Sequence, residues 1–152
     1  MPMNIAFDSN EDCAAASAET IAAFERAHSI ILPSDYRAFL SSSPGGGPNP
    51  TFCSFGGTKG DFVAHVYGIH TGAQWKRLSY AVEQFGHDLS RFLPVAISNG
   101  GNYFLLRLTE PDRGAVYFYD HELEACDPPT FDSLIRVSDS FSSWLDSLRE
   151  VR

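Results

Sequence analysis

The strongest constraint on the fold is the run SSSPGGGP at residues 41–48, a composition that neither a helix nor a strand tolerates. Apolar residues recur at helical spacing before this run, whereas alternating segments separated by turn residues dominate after it. Helical spacing returns at the end of the chain. The pattern predicts an α+β domain with helices first, an antiparallel meander next and a closing helix. No long linker is present, so we expect one domain over residues 1–152 with its core at about 17–149.

Four helices are predicted from capping residues and apolar spacing. Ser17 is a suitable N-cap for the first helix, and Pro33 suits the first turn of the second. A third helix is predicted over Trp75–Phe85, with Trp75 on its buried face. The fourth carries Phe141 and Leu148 on one face.

The strands are predicted from alternation and from turn residues between apolar runs. Asn99–Asn102 carries the left-handed turn residues typical of a hairpin tip. Residues 48–60 are predicted to form a loop. The predicted strands are Asp61–Ile69, Val95–Ile97, Tyr103–Leu108, Ala115–Tyr119 and, at an edge, Leu134–Val137.

Composition excludes several classes of protein. Twelve Phe, six Tyr and two Trp are too many for a disordered chain. Nineteen acidic against eleven basic residues give a net charge of -8, which disfavours direct nucleic-acid binding. The cysteines at positions 13, 53 and 126 form neither a disulfide framework nor a C-x-x-C pair. With no signal peptide and no apolar run near the ~20 residues that span a bilayer, we expect a cytoplasmic protein.

Motifs for catalysis or ligand binding are incomplete throughout the sequence. Gly57–Gly60 lacks the spacing of a P-loop, and His121-Glu122 lacks the second histidine of H-E-x-x-H because Ala125 stands there. No G-x-S-x-G elbow is present. We therefore expect no catalytic, cofactor-binding or metal site, and a hydrolase assembled from scattered Ser, His and Asp side chains is the weakest alternative.

The acidic residues concentrate in the last third of the chain. Residues 110–152 hold ten acidic and four basic residues, whereas the preceding residues hold nine and seven. An exposed acidic run is most often simply solvated. The alternative is a docking surface for a basic protein, with acidic contacts and an aromatic anchor. The candidate contacts are Tyr103, Asp112, Tyr119, Asp120, Glu122, Glu124 and Asp127.

Several segments, taken in order, resemble one protein family. They include LPSDYRAFL at residues 32–40, the glycines at 45–47, LPVAI at 93–97, VYFYDHE at 116–122 and SDSFSSWL at 138–145. This set resembles the Smi/Knr-like group of the SUKH superfamily over roughly residues 21–148. Two departures are Tyr119, where the family typically has Trp, and a first helix unusually rich in alanine.

The resemblance implies a single α+β domain with a central, mostly antiparallel twisted sheet flanked by helices. Many bacterial members look like immunity proteins, which bind and neutralise a cognate toxin, whereas fungal members regulate cell-wall synthesis. The expectation is a non-catalytic immunity protein for a basic toxin such as a nuclease, acting as a monomer or weak homodimer without membrane contact. The alternative is a regulatory or scaffold module without a toxin partner.

Overall fold

The computed structural model describes residues 5–8, 14–56, 59–123 and 131–151. These residues form four α-helices, eight strands and a short 3₁₀ helix at Gln74–Lys76. The helices are α1 (Ala18–His28), α2 (Ser34–Ser42), α3 (Leu78–Phe85) and α4 (Phe141–Ser147). The strands are β1 (Ala6–Phe7), β2 (Pro48–Asn49), β3 (Phe52–Gly56), β4 (Lys59–Val66), β5 (Phe92–Ser98), β6 (Tyr103–Arg107), β7 (Val116–Tyr119) and β8 (Ile135–Ser138).

The main sheet is an antiparallel meander. Strands β3 to β8 lie side by side in chain order, so each strand pairs with the next one along the sequence. Strands β1 and β2 form a separate two-stranded ribbon. After α4 the chain returns to β3, where Phe52 and Arg149 exchange two backbone hydrogen bonds of 3.0 Å each. The predicted α+β single domain with a central antiparallel sheet is confirmed.

Side chains of alternate residues on the strands pack against two different layers. On one side Phe104 of β6 contacts Trp144 of α4 at a ring-centroid distance of 5.0 Å. Helix α2 joins this layer because Tyr36 lies 4.7 Å from Phe141. On the other side Phe85 of α3 packs edge-on against the next residue of β6, Tyr103, at 5.6 Å. Both faces of the sheet are therefore covered.

The helix starts agree with the capping residues that the sequence offers. Ser17 caps α1 by accepting a hydrogen bond from the Thr20 amide at 3.2 Å, and Pro33 is the residue before α2. Ser140 and Ser143 form a reciprocal capping box at the start of α4. The longest of these helices has only 11 residues, and none in the described part of the chain could span a bilayer.

Three predictions about local structure are wrong. The run at residues 41–48 is not free of regular structure, because α2 continues through Ser42 and β2 begins at Pro48. Residues 48–60 are not a loop, since they contain β2, β3 and the start of β4, and the Phe52 ring of β3 packs 5.2 Å from Phe62. The third helix begins at Leu78 and not at Trp75. The Lys76 carbonyl, which a longer helix would use internally, instead lies 3.1 Å from Nε2 of both His65 and His70.

Candidate partner-binding surface

The turn after β7 holds two of the predicted contact residues in a fixed conformation. Asp120 Oδ1 accepts a hydrogen bond from the Glu122 amide at 2.9 Å, and the Asp120 carbonyl accepts one from the Leu123 amide at 3.1 Å. Asn102 in the neighbouring β5–β6 turn ties this segment down, because its Oδ1 accepts the His121 amide at 3.0 Å. Its amide oxygen also lies 2.6 Å from His121 Nδ1. The acidic turn is thus held by hydrogen bonds rather than free.

A third carboxylate, which the sequence did not single out, lies beside the β5–β6 turn. The Asn99 amide donates to the Phe62 carbonyl at 2.9 Å, which places β4 beside the β5–β6 turn. Asp61 Oδ2 lies 3.4 Å from the position that a Cβ on Gly100 would take. We call Asp61, Phe62, Asp120, Glu122 and Leu123 the acidic end of the sheet.

The acidic end combines uncompensated charge with exposed apolar surface. Among the described residues, four ion pairs are present, and none of them includes Asp61, Asp120 or Glu122. Leu123 is 65% exposed and Phe62 40% exposed. Three unpaired carboxylates attract a basic partner from a distance, and apolar side chains contribute affinity on contact.

A row of side chains crosses the sheet close to the acidic end. Register places His65 of β4 opposite Ile97, Ile97 opposite Tyr103, and Tyr103 opposite Tyr119. Because directly opposed residues share a face, these four side chains line up on the α3 side. Trp75 extends the row at its β4 end, with its ring centroid 5.6 Å from that of His65. We call these five residues the cross-strand row.

The two tyrosines predicted as aromatic anchors differ in accessibility. Tyr103 is half-buried, and burial raises the pKa of its phenol. Tyr119 is only 4% exposed and packs against Phe85 at 5.5 Å, so its ring has almost no area to offer a partner. Of the two tyrosines, Tyr103 is therefore the one whose ring can contact a partner.

Asp112 lies far from the other predicted contacts and is engaged internally. It precedes β7, whereas Asp120 follows β7, so the length of that strand, about 13 Å for four residues, separates them. Its carboxylate accepts a hydrogen bond from the Tyr117 hydroxyl and lies 3.1 Å from Arg107 Nε and 3.5 Å from Arg136 Nη1. The Tyr117 hydrogen bond, helped by both arginines, lowers the pKa of Asp112. Glu124 and Asp127, also predicted as contacts, lie outside the described residues.

Trp75 is a surface aromatic residue that sequence reasoning assigned to the core. It is 57% exposed in the 3₁₀ helix Gln74–Lys76. Arg77 clamps the turn before this helix by donating to the Gly72 carbonyl at 2.9 and 2.7 Å and to the Thr71 carbonyl at 3.1 Å. Lys76 Nζ lies 5.0 Å from the indole centroid, within cation–π range. Because Trp75 and Leu78 are at helical spacing, the sequence pattern indicated a continuous helix here, although the preceding Thr-Gly pair could have suggested a turn.

Among the described residues, the two histidines His65 and His70 approach one another and line one small cavity together with Asp8. Within the described ranges, no group of three or more His, Cys, Asp or Glu side chains could hold a metal ion. Burial lowers the pKa of both His65 and His70. Burial also raises the pKa of the Cys53 thiol to about 11, so it is protonated and weakly nucleophilic at neutral pH.

Comparison with known proteins agrees with the resemblance found in the sequence. The model of the SMI1 / KNR4 family (SUKH-1) matches residues 15–147. No curated protein matches the chain. The matched range contains all four helices, the six-stranded sheet and the acidic end.

Proposed function

Because this chain belongs to the SMI1 / KNR4 family (SUKH-1), we propose that it is an immunity protein that binds and neutralises a cognate toxin domain through the acidic end. Membership of this family is compatible with an immunity protein or with a regulatory interaction module. The assignment of a toxin as the partner is our proposal. Neutralisation would be stoichiometric and non-catalytic: the protein covers the toxin surface and turns nothing over.

The observation that carries the proposal is the composition of the acidic end. Asp61, Asp120 and Glu122 form no ion pair within the described residues, and each is next to or within three residues of an exposed apolar side chain, Phe62 or Leu123. Hydrogen bonds fix the turn, so little conformational entropy is lost on binding. A basic domain, such as a nuclease that must bind phosphates, has the complementary charge. Charge complementarity mainly raises the association rate, which suits an inhibitor that must act quickly.

The cross-strand row would enlarge this surface. Interface energy concentrates in a few buried aromatic residues, with Trp and Tyr enriched among them. Trp75 and Tyr103 are both partly exposed on the same face, and the clamp from Arg77 fixes the turn before the 3₁₀ helix that carries the indole. We assign Trp75 as the main aromatic anchor in the proposed complex.

The test uses the product of the gene next to this one as the candidate toxin. A pull-down and rescue from toxicity establish the pair, and surface plasmon resonance at several salt concentrations measures its kinetics. The triple variant Asp61→Lys, Asp120→Lys, Glu122→Lys should slow association by at least about tenfold at low salt and flatten the salt dependence.

The matched control reverses three exposed carboxylates elsewhere, Glu19→Lys, Asp146→Lys and Glu150→Lys, with the same change in net charge. It should leave association close to the wild-type rate. If both triple variants slow association equally, only net charge matters and the acidic end is not the docking surface. If the pair does not form and the gene has a growth or envelope phenotype, the protein is a regulatory module.

A further inference from the structure

A trough on the outer surface of α1 and α2 has chemistry opposite to that of the acidic end. It consists of three open grooves of about 460, 560 and 560 Å³. The first and second share Ala22, Glu25 and Arg37, and the second and third share Ser29–Ile31, so the grooves are contiguous. Each is within the range of ligand-binding clefts, about 300–1,000 Å³. We call this continuous surface the α1–α2 trough.

Small side chains on two neighbouring helices create the trough. Ala18 and Ala22 of α1 face Ala38 of α2 across the first groove, and none of them reaches far enough to fill it. Ala18 and Ala22 belong to the alanine-rich first helix. The far groove continues to Leu108 and Arg113 beside the β6–β7 turn. The acidic end lies beyond the opposite ends of those two strands, so the two surfaces are separate.

Ile31 stands between the second and third grooves as an exposed aliphatic ridge. Its side chain is 70% exposed, the highest value among the large exposed apolar residues. The backbone beneath it is fixed, because Arg113 Nη2 donates to the Ile31 carbonyl at 2.6 Å. The next amide, that of Leu32, donates to Glu25 Oε2 at 2.8 Å. An exposed aliphatic side chain on an immobilised backbone is pre-organised for contact with a partner.

The residues that line the trough carry a net positive charge, although the whole chain carries -8. Three arginines line it, namely Arg26, Arg37 and Arg113. Among the described lining residues Glu25 is the one acid, and its Oε2 is already bound by Arg37 Nη2 at 2.7 Å. Arg26 and Arg113 take part in none of the ion pairs of the described residues. The trough therefore complements an acidic occupant.

We propose that the α1–α2 trough binds an acidic amphipathic segment of a partner protein. Aliphatic side chains of that segment enter the grooves on either side of Ile31, and its carboxylates pair with Arg26 and Arg113. This mode, an amphipathic segment in an apolar groove, is common in protein recognition. It gives the protein two docking surfaces of opposite charge, so a basic and an acidic partner can be bound together.

The test selects peptides from a random library displayed on phage, using the full-length protein as bait. Counter-selection with the variant Ile31→Asp removes phage that bind the acidic end or any other surface. The enriched peptides should combine Asp or Glu with Leu, Ile or Val. A synthetic copy of the best peptide should shift the amide resonances of Ala22, Ile31 and Arg113 and bind at least about tenfold more weakly to Ile31→Asp and to Arg26→Glu.

Two control variants make comparable changes, from aliphatic to acidic and from basic to acidic, at exposed positions elsewhere. These are Val151→Asp and Lys59→Glu, and both should bind the peptide as the wild type does. Thermal unfolding of each variant confirms that it folds. The proposal is overturned if enriched peptides are basic, or if counter-selection with Val151→Asp yields the same set. It is equally overturned if the protein self-associates and Ile31→Asp abolishes that association, because the occupant is then a second copy.

Discussion

Replacing Asp112 by alanine should destabilise the protein without weakening its partner binding. The carboxylate accepts the Tyr117 hydroxyl and is 18% exposed, and hydrogen bonds to charged groups contribute roughly 1.5–3 kcal/mol. The contact with Arg136 adds little, because that side chain is 46% exposed. Arg107 keeps two carbonyl acceptors, those of Thr109 and Glu110, which limits the loss. We expect a loss of about 2 kcal/mol in the free energy of unfolding, or roughly 4–8 °C in Tm.

The control for this prediction is Asp139→Ala, which removes the other carboxylate bound to Arg136. That ion pair is short, 2.8 Å, but Asp139 is 89% exposed. Such exposed pairs contribute about 0–1 kcal/mol, so the Tm should fall by no more than about 2–4 °C. Chemical and thermal unfolding followed by circular dichroism measure both variants. Equal losses for the two variants would refute the reasoning, and so would a tenfold loss of partner affinity in Asp112→Ala.

The free energy of unfolding of Asp112→Ala should also differ from that of the wild type in a pH-dependent way. The pKa of Asp112 is lower in the folded than in the unfolded protein, so its carboxylate contributes stability above the unfolded pKa of about 4. This contribution is lost as the pH falls through the lower pKa that Asp112 has in the folded protein. The difference in unfolding free energy between wild type and Asp112→Ala should be constant from pH 7 to about pH 4 and should narrow below it.

Two further substitutions test the cross-strand row and the close approach of Gly68 to the Pro44 backbone. Trp75→Ala should reduce affinity for the proposed partner by at least about tenfold. Its Tm should change by no more than about 2 °C, because the indole is 57% exposed. If calorimetry shows unchanged affinity for the partner, Trp75 is not part of the interface. Gly68→Ala should destabilise by about 2 kcal/mol or more, since its Cβ would lie 2.1 Å from the Pro44 carbonyl oxygen, and a Tm within 1 °C of wild type would contradict that close approach.

The order of elements was predictable because local signals agree with it. Ser17 and Pro33 stand where two helices begin, and the turn at Asn99–Asn102 separates two apolar runs. The α1–α2 trough was not predictable, because alanines on one helix do not show how closely the neighbouring helix packs against them. Trp75 was misassigned because it lies at helical spacing from residues that are buried.

The placement of the acidic residues shows a second limit of sequence reasoning. Asp112 and Asp120 belong to one acidic stretch, but a strand runs between them, so one is bound internally while the other lies on a solvated turn. Asp61 belongs to the surface only through the pairing of β4 with β5. Proximity in the sequence therefore grouped Asp112 with Asp120, which the sheet separates. It missed Asp61, which the sheet places near Asp120.

The two hydrogen bonds between Phe52 and Arg149 have a consequence for solubility. Strand β3 is an outer strand of the six-stranded sheet, and outer strands with free amides and carbonyls recruit other chains. The segment after α4 occupies part of that hydrogen-bonding edge. A protein shortened after Leu148 would keep the four described helices and the buried Leu148 yet uncover the edge, and it should aggregate through β3 while its monomer remains folded.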